Sequence, residues 1–338
     1  LVTAVDSVHH EYIVSALEKG FDVVSEKPIT NTFERCSAIR EAERKAGKNV
    51  TVTFNTRFMP YFSEMKSLIM QGRIGRPLAM NYEYYLDKMH GGDYFQRWHR
   101  FTEFSQGMLL HKSTHHFDAA NWLIGDTPRF VAALGDRVYY GDEKKAYADC
   151  CRNCKRGDEC ETYKSVKEEY RYPDVKYFKE IYFDAEREDG YIRDRCAFAP
   201  DTDILDNMSV SVRYEHGALL TYSLNMFARQ EGAAITITGD EAMLTARWGL
   251  DSGDKEEIKI LGRNGRTETV TIDKDKSTHG GGDARLLAGI FGDKKHDPLG
   301  RQANSYDGFT SAMIGIAANE SIKSGKTIDL REYLAKLK

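Results

Sequence analysis

The hydrophobic pattern changes character once along the chain. Up to residue 76, short apolar runs alternate with amphipathic stretches. Leu1-Val2-Thr3-Ala4-Val5 is a β-branched run that predicts a short buried strand, closed by Asp6-Ser7. A helix is expected over 9–19, stopped by Gly20, and a strand over 21–25. Within 30–46, Phe33, Cys36, Ile39 and Ala42 recur at helical spacing, and Gly47 supplies the stop. A strand over 49–54 and a helix over 60–71 follow. Strand–helix alternation of this kind builds a parallel, doubly wound sheet.

Beyond residue 76 the period drops to two. Strands are expected over 77–87 and 129–140. Three hairpins follow: 207–214 with 218–227, 234–238 with 243–248, and 257–261 with 268–272. Helices are expected over 283–291 and 307–324, the second ended by Gly325. The predicted fold is α/β plus α+β. Residues 1–76 form the C-terminal part of a Rossmann-type doubly wound sheet. Residues 77–338 form a substrate-binding and oligomerisation domain with a large, mainly antiparallel open sheet. So few helices cannot cover both faces of that sheet, which predicts a homo-oligomer, dimer or tetramer, through the open face. The charged, tyrosine-rich segment 141–201 reads as an insertion on the surface or over a site mouth.

Composition narrows the function classes. A chain of 338 residues can bury two cores. Net charge of −4 gives no reason to expect nucleic acid or an anionic membrane as partner. No apolar run approaches the length of a membrane span, and Asp6, His9 and Glu11 break up any leader-like run, so a cytoplasmic protein is expected. Of six cysteines, Cys150, Cys151, Cys154 and Cys160 cluster. Cys151-x-x-Cys154 is half of a zinc knuckle that Cys160 would extend, and a disulfide is a second option. Free thiols in a surface insertion are the expectation, with no metal in the chemistry.

The candidate chemistry centres on 107–118, GMLLHKSTHHFD. Read as one helix, His111 and His115 share a face four residues apart, with Asp118 beside them. Stacked imidazoles suit proton transfer near neutral pH. Far upstream, an apolar strand end runs into Glu26-Lys27-Pro28, where an open α/β sheet binds its ligands. Asn55 and Arg57 follow another strand end and belong to the same crevice.

Taken in order, Asp6-Ser7-Val8-His9-His10, Glu26-Lys27-Pro28, Thr53-Phe54-Asn55-Thr56-Arg57-Phe58 and the His115 to Asp118 helix running into Trp122-Leu123-Ile124-Gly125 resemble the Gfo/Idh/MocA family. This is the glucose–fructose oxidoreductase and inositol dehydrogenase group. The resemblance implies an NAD- or NADP-dependent oxidoreductase acting on a hydroxyl of a sugar, cyclitol or polyol-like substrate. It implies Lys27 and His115 as catalytic groups. His111 stands where many members carry an acidic residue, and is expected to tune His115 or relay its proton. Asp6, Ser7, His9, Glu26, Lys27, Pro28, Asn55 and Arg57 are expected on the cofactor side. Arg97, Trp98, His99, Arg100, Lys112 and His116 are expected around the substrate, the Trp98 indole as a stacking plate. No GxGxxG turn occurs in the chain, and Glu26 comes earlier than the family pattern places it, so the sequence is expected to begin after that turn. Two rival readings remain: a glycoside-cleaving or epimerising enzyme that oxidises transiently and recycles NAD, and a non-catalytic remnant that has lost cofactor binding.

Overall fold

The computed structural model describes residues 1–164, 179–251, 253–292 and 296–337. Its architecture is the expected α/β plus α+β. Two sheets share the chain. The small one has three strands in the order β1-β2-β11: β1 (Val23–Ser25) and β2 (Val50–Val52) run parallel, and β11 (Ala303–Asn304) pairs antiparallel with β2. Residues 1–5 make no full strand. Val2 alone forms a parallel bridge to Ser25, with its amide donating to the Val24 carbonyl at 2.8 Å. That bridge suffices to lay Asp6 beside the carboxyl end of β1.

Helix α1 (His9–Glu18) packs on β1, and α2 (Phe33–Ala46) packs on α1. The ends of α2 follow the sequence signals. Thr32 caps it by accepting from the Arg35 amide, and Gly47 closes it in the left-handed conformation, φ 61°. The return of residues 303–304 to the small sheet could not be read from a two-residue strand. It continues into the long helix Ser305–Ser324, which opens with a reciprocal Asn304–Asp307 capping box.

The second sheet has nine strands, ordered β10-β9-β8-β7-β3-β6-β5-β4-β12. These are β3 (Pro77–Asp87), β4 (Pro128–Asp136), β5 (Asn207–Tyr214), β6 (Leu219–Ala228), β7 (Gly232–Gly239), β8 (Ala242–Trp248), β9 (Lys255–Gly262), β10 (Thr267–Asp273) and β12 (Ile328–Asp329). Only the central β3–β6 pair is parallel. Burial alternates strictly along β5, which fixes its register because a one-residue slip would turn Met208, Val210, Val212 and Tyr214 to water. On the other face β5 shows Asn207, Ser209, Ser211 and Arg213. β4 stops at Asp136 rather than at 140. The buried Asp206 carboxylate accepts from the amides of Val138, Tyr139 and Tyr140 at 2.9, 2.8 and 2.9 Å and turns the chain out of the sheet.

Between β3 and β4 lie α3's successors in the site: α4 (Lys88–Gln96), α5 (Thr102–Ser105), α6 (Met108–His111) and α7 (Thr114–Ile124), α3 itself being Pro60–Met70. Two glycines set their approach. A Cβ on Gly91 would sit 1.8 Å from the Met226 carbonyl oxygen, so α4 lies directly on β6. A Cβ on Gly315 would sit 2.5 Å from the Leu109 carbonyl oxygen, so the 305–324 helix presses on α6. The expected single helix through 107–118 is in fact two. Ser113 hydroxyl and amide both donate to the Met108 carbonyl, at 3.1 and 2.9 Å, and this local bonding breaks the helical ladder at Lys112-Ser113.

Of the insertion, residues 165–178 lie outside the described residues. The rest is short helical turns anchored on Asp194, which accepts from the Arg152 amide at 2.9 Å and its Nε at 3.0 Å. Cys151 and Cys196 are buried rather than at the surface, and all six thiols are free. Among the described residues no three metal-ligating side chains are placed to hold an ion, and no helix is long and apolar enough to cross a membrane.

Candidate active site

Register brings the two strand ends together. Ser25 pairs with Val52, so Glu26-Lys27-Pro28 and Thr53-Phe54-Asn55 leave the small sheet side by side. The two runs are tied by Thr53, whose hydroxyl donates to Glu26 Oε1 at 2.7 Å. From this edge Lys27 reaches α6, where its ammonium donates to the His111 carbonyl at 3.4 Å. His111 turns its ring to Asp6, hydrogen-bonded from Nδ1 to Oδ2 at 2.6 Å. Burial pushes the Asp6 carboxyl up to about 7, offset in part by Lys27 and His9. Burial, then Lys27 and Arg97, push His111 well below its ordinary value. Burial thus disfavours the charged form of both partners. Burial also lowers Lys27, against the pull of Asp6 and Glu26.

His115 stands on α7, across the break from His111. The two rings are not stacked: His111 faces Tyr94, Trp98 and His99, at ring distances of 5.7, 5.5 and 4.4 Å. His115 sets its ring edge-on to Phe54 at 5.9 Å. Its Nδ1 is buried with no hydrogen-bond partner among the described residues. Burial, with Lys27, Lys112, His116 and His279 nearby, holds this imidazole well below its ordinary value. A neutral, partly exposed ring near the Lys27 ammonium is equipped to accept a proton from a bound hydroxyl through the nitrogen other than Nδ1.

Several residues expected at the site are instead committed to the scaffold. Arg57 is spent on a buried fork to Asp118, with Nε to Oδ2 at 2.8 Å and Nη2 to Oδ1 at 2.6 Å, and on Asp307 at 3.3 Å. That also removes Asp118 from the histidines' surroundings. His9 holds the turn after β1 together, its nitrogens on the Pro28 and Ala4 carbonyl oxygens at 2.9 and 2.8 Å. Arg100 is fully buried against Asp201 and the Cys196 carbonyl, so it cannot meet a substrate. His116 is buried on the Tyr222 hydroxyl at 2.7 Å and stacked on Tyr84. Asn55 donates to Asp283 at 2.7 Å. Ser7 is half-buried in the turn before α1, and Pro28 is buried behind Lys27. Trp98 stacks on buried His99, with ring centres 3.8 Å apart, so one face of the indole is already covered. Its amide is met by the Tyr191 hydroxyl at 3.4 Å, and Arg193 meets Asp93 at 2.6 Å. The insertion thus reaches the wall of the site. Arg97 pairs with Asp93 at 3.1 Å and remains half-buried there.

A second polar cluster escaped the sequence reading. Glu231 accepts from His90 Nδ1 at 2.8 Å and from the Tyr84 hydroxyl at 2.9 Å. His90 Nε2 meets the Tyr94 hydroxyl at 3.2 Å. Lys112 lies 5.5 Å above the Tyr84 ring, lowered by burial to about 8. Burial would raise Glu231, but the bonds from His90 and Tyr84 and the charge of Lys112 hold it down to about 2. A signal existed: Asp87 caps α4, so Tyr84, Asp87 and His90 mark a strand end, the usual address of site residues. Glu231, in a hairpin turn, carried none.

These residues fit the reactive end of a dinucleotide. Lys27 stands at the carboxyl edge of parallel strands, where such cofactors bind, and is near enough to His115 for its charge to bear on that ring.

Family models match along the chain. Residues 1–54 match an oxidoreductase family's NAD-binding Rossmann fold, and residues 66–330 match the C-terminal alpha/beta domain of the same family. The oxidoreductase YteT of Bacillus subtilis is 32% identical, over 98% of this chain and 81% of its own length. The scyllo-inositol 2-dehydrogenase (NAD(+)) of the same organism is 30% identical over 44% of this chain and 41% of its own. Among solved structures, levoglucosan dehydrogenase in complex with NADH and levoglucosan shares the fold at a TM-score of 0.67 and 18% identity, covering 97% of this chain and 79% of that one. The aldose-aldose oxidoreductase of Caulobacter crescentus does so at 0.62 and 15%, covering 97% and 78%.

Proposed function

The chain belongs to the Gfo/Idh/MocA family of NAD(P)-dependent oxidoreductases, and from that premise we propose that it oxidises a hydroxyl of a sugar, cyclitol or polyol-like substrate. The observation that carries this is the partly exposed His115 imidazole, held well below its ordinary value by burial and by nearby Lys27. A nicotinamide held beside Glu26 and Lys27 would supply the redox chemistry as hydride acceptor for the carbinol carbon. The chain's residues handle the proton and the oxygen. Lys27 donates to the substrate oxygen and holds the hydroxyl polarised. His115, neutral, takes the hydroxyl proton as the C–O bond gains double-bond character. The Asp6–His111 pair orients Lys27 through the His111 carbonyl and buffers its charge. Glu26 and Lys27 line the nicotinamide side. Arg97 and Lys112 face the substrate hydroxyls, the latter from above Tyr84.

In this reading residues 1–76 serve the cofactor and 77–338 the substrate and subunit contacts, in a cytoplasmic homo-oligomer. The outward polar face of β5 meets a partner through hydrogen bonds more than apolar burial. A second reading is favoured by one observation, the Glu231–His90–Tyr94 line with Lys112 alongside. Simple dehydrogenation needs one proton acceptor. A second acid–base group at a neighbouring carbon is what cleavage or epimerisation through transient oxidation requires.

Nicotinamide absorbance separates the two. Protein with NAD+ or NADP+ and a panel of inositols, aldoses and alditols should accumulate reduced cofactor. Substrate consumed at constant oxidised cofactor would move the assignment to the second reading. No reduction and no calorimetric binding of either cofactor would sink both.

A further inference from the structure

We propose that the substrate carries a carboxylate and that the Lys112 ammonium is the group that reads it, so that the enzyme prefers sugar acids of the uronic or aldonic class to neutral sugars. The inference rests on the sugar-oxidising reading above and narrows what Lys112 meets from a hydroxyl to a charged oxygen pair.

Lys112 belongs to the reacting centre. It occupies the break between α6 and α7, directly after His111. The His115 amide donates to the Lys112 carbonyl at 3.3 Å, which closes a tight turn between the two residues. Side chains at the ends of such a turn lie one above the other. The charge of Lys112 bears on His111 and His115, and the charge of Lys27 bears on Lys112 and His115 alike. Lys27, Lys112 and His115 are each partly exposed, while His111 and His116 on either side are buried. One sugar-sized ligand at His115 is therefore within reach of Lys112.

Of the cations gathered here, the others are committed. Lys27 donates to the His111 carbonyl, and Arg97 and Arg193 both meet Asp93. The Lys112 ammonium meets no acceptor among the described residues and lies over the Tyr84 ring, 5.5 Å from its centre. Glu231 bears on it but does not bond it. Both Glu231 oxygens are bonded elsewhere, Oε1 by the Tyr84 hydroxyl at 2.9 Å and Oε2 by His90 at 2.8 Å. An ammonium drawn out of water without an acceptor is costly, and burial lowers this one to about 8 while leaving it charged near neutral pH. The surrounding charges select the ligand class. Lys27, Arg97, Lys112 and Arg193 are set against Glu26, Asp93 and Glu231. The Asp6 carboxyl, pushed up to about 7, offsets the remaining positive charge fully only above neutrality. One carboxylate matches that charge and forms the stronger, charge-assisted bond. A neutral hydroxyl leaves it unmatched, and a phosphate dianion exceeds it.

The test pairs glucuronate with glucose, galacturonate with galactose and gluconate with glucitol, by calorimetric binding to the protein with NAD+ present and by kcat/KM. Glucose 6-phosphate and the amide of each acid are run alongside. At least one acid should bind about tenfold more tightly than its neutral counterpart, the scale of one charge-assisted hydrogen bond at a partly exposed site. The amide has the shape of the acid without its charge, and should bind like the neutral sugar. Lys112→Gln should bring the ratio of acid to neutral sugar to within about threefold of one, and Lys112→Arg should retain most of it. If Lys112→Gln is poorly folded, the amide and Lys112→Arg decide the matter. A ratio near one for every pair, an amide that binds as tightly as its acid, or a ratio that Lys112→Gln leaves unchanged overturns the proposal. Tighter binding of glucose 6-phosphate than of any acid also overturns it. Reduction of NAD+ by a neutral sugar as readily as by its acid would leave the dehydrogenase reading standing, so the two fail separately.

Discussion

Asp6→Asn tests the proton held at the heart of the site. Asp6 is 2% exposed, and burial pushes its carboxyl from 3.8 up to about 7. An unfolded aspartate loses its proton near its ordinary value, about 3.9. Across about pH 4 to 7 the unfolded chain therefore binds fewer protons than the folded one, and stability falls as pH rises through that window. A rise from 3.8 to about 7 corresponds to about 4 kcal/mol. That is an upper bound, since water drawn toward the new charge relaxes part of it. Asparagine keeps an oxygen for the His111 bond at 2.6 Å and cannot ionise. Urea unfolding of parent and variant at about pH 4.5 and pH 8 gives the double difference, in which titrating groups remote from Asp6 cancel. The parent should lose about 2–4 kcal/mol relative to the variant between the two pH values. A double difference below about 1 kcal/mol would refute the reasoning, because Asp6 would then ionise as freely in the fold as outside it.

Lys27→Ala should lower kcat by about 10²-fold, the scale of a positioned proton-handling group; steady-state rates within a few-fold of the parent would end that role. His115 must be neutral to act, and burial and its cationic neighbours hold it below 6.5, so kcat/KM should stay level as pH falls through 6.5 and drop only below it. A pH profile whose acid limb persists unchanged in His115→Ala would move the base to another group. Arg57→Ala should cost about 3–5 kcal/mol in stability by stranding buried Asp118, seen as a large fall in Tm; a Tm change of only a degree or two would show the fork to be dispensable.

The large sheet was legible because its signal is local. A period of two over 77–87 gives β3 at Pro77–Asp87 without correction, and each predicted hairpin is present with strand ends within a few residues. Inward and outward positions differ so sharply along β5 that no other register buries the same side chains. The failures have a common cause. Val2 contributes one bridge because the neighbour it meets is only three residues long, and β11 joins the small sheet with two residues. Such short pairings are decided by what the rest of the chain packs against them, here the 305–324 helix, and leave no period to read.

The histidines show the same limit inside the site. Spacing of four put His111 and His115 on one predicted face, but that argument assumed an unbroken helix. A single serine, bonding back to Met108, turned the two rings toward different partners. His111 then found Asp6, 105 residues away, and His115 was left alone against Phe54. This changes what an acidic residue at position 111 would do. On one helix it would have stood below His115 and raised that ring's affinity for a proton. In the fold it would face the Asp6 carboxyl, and two carboxyls at that distance cannot both ionise in a buried place. The histidine here is therefore matched to Asp6. A motif marks candidate groups, while the partner of each group is fixed by contacts that no motif contains.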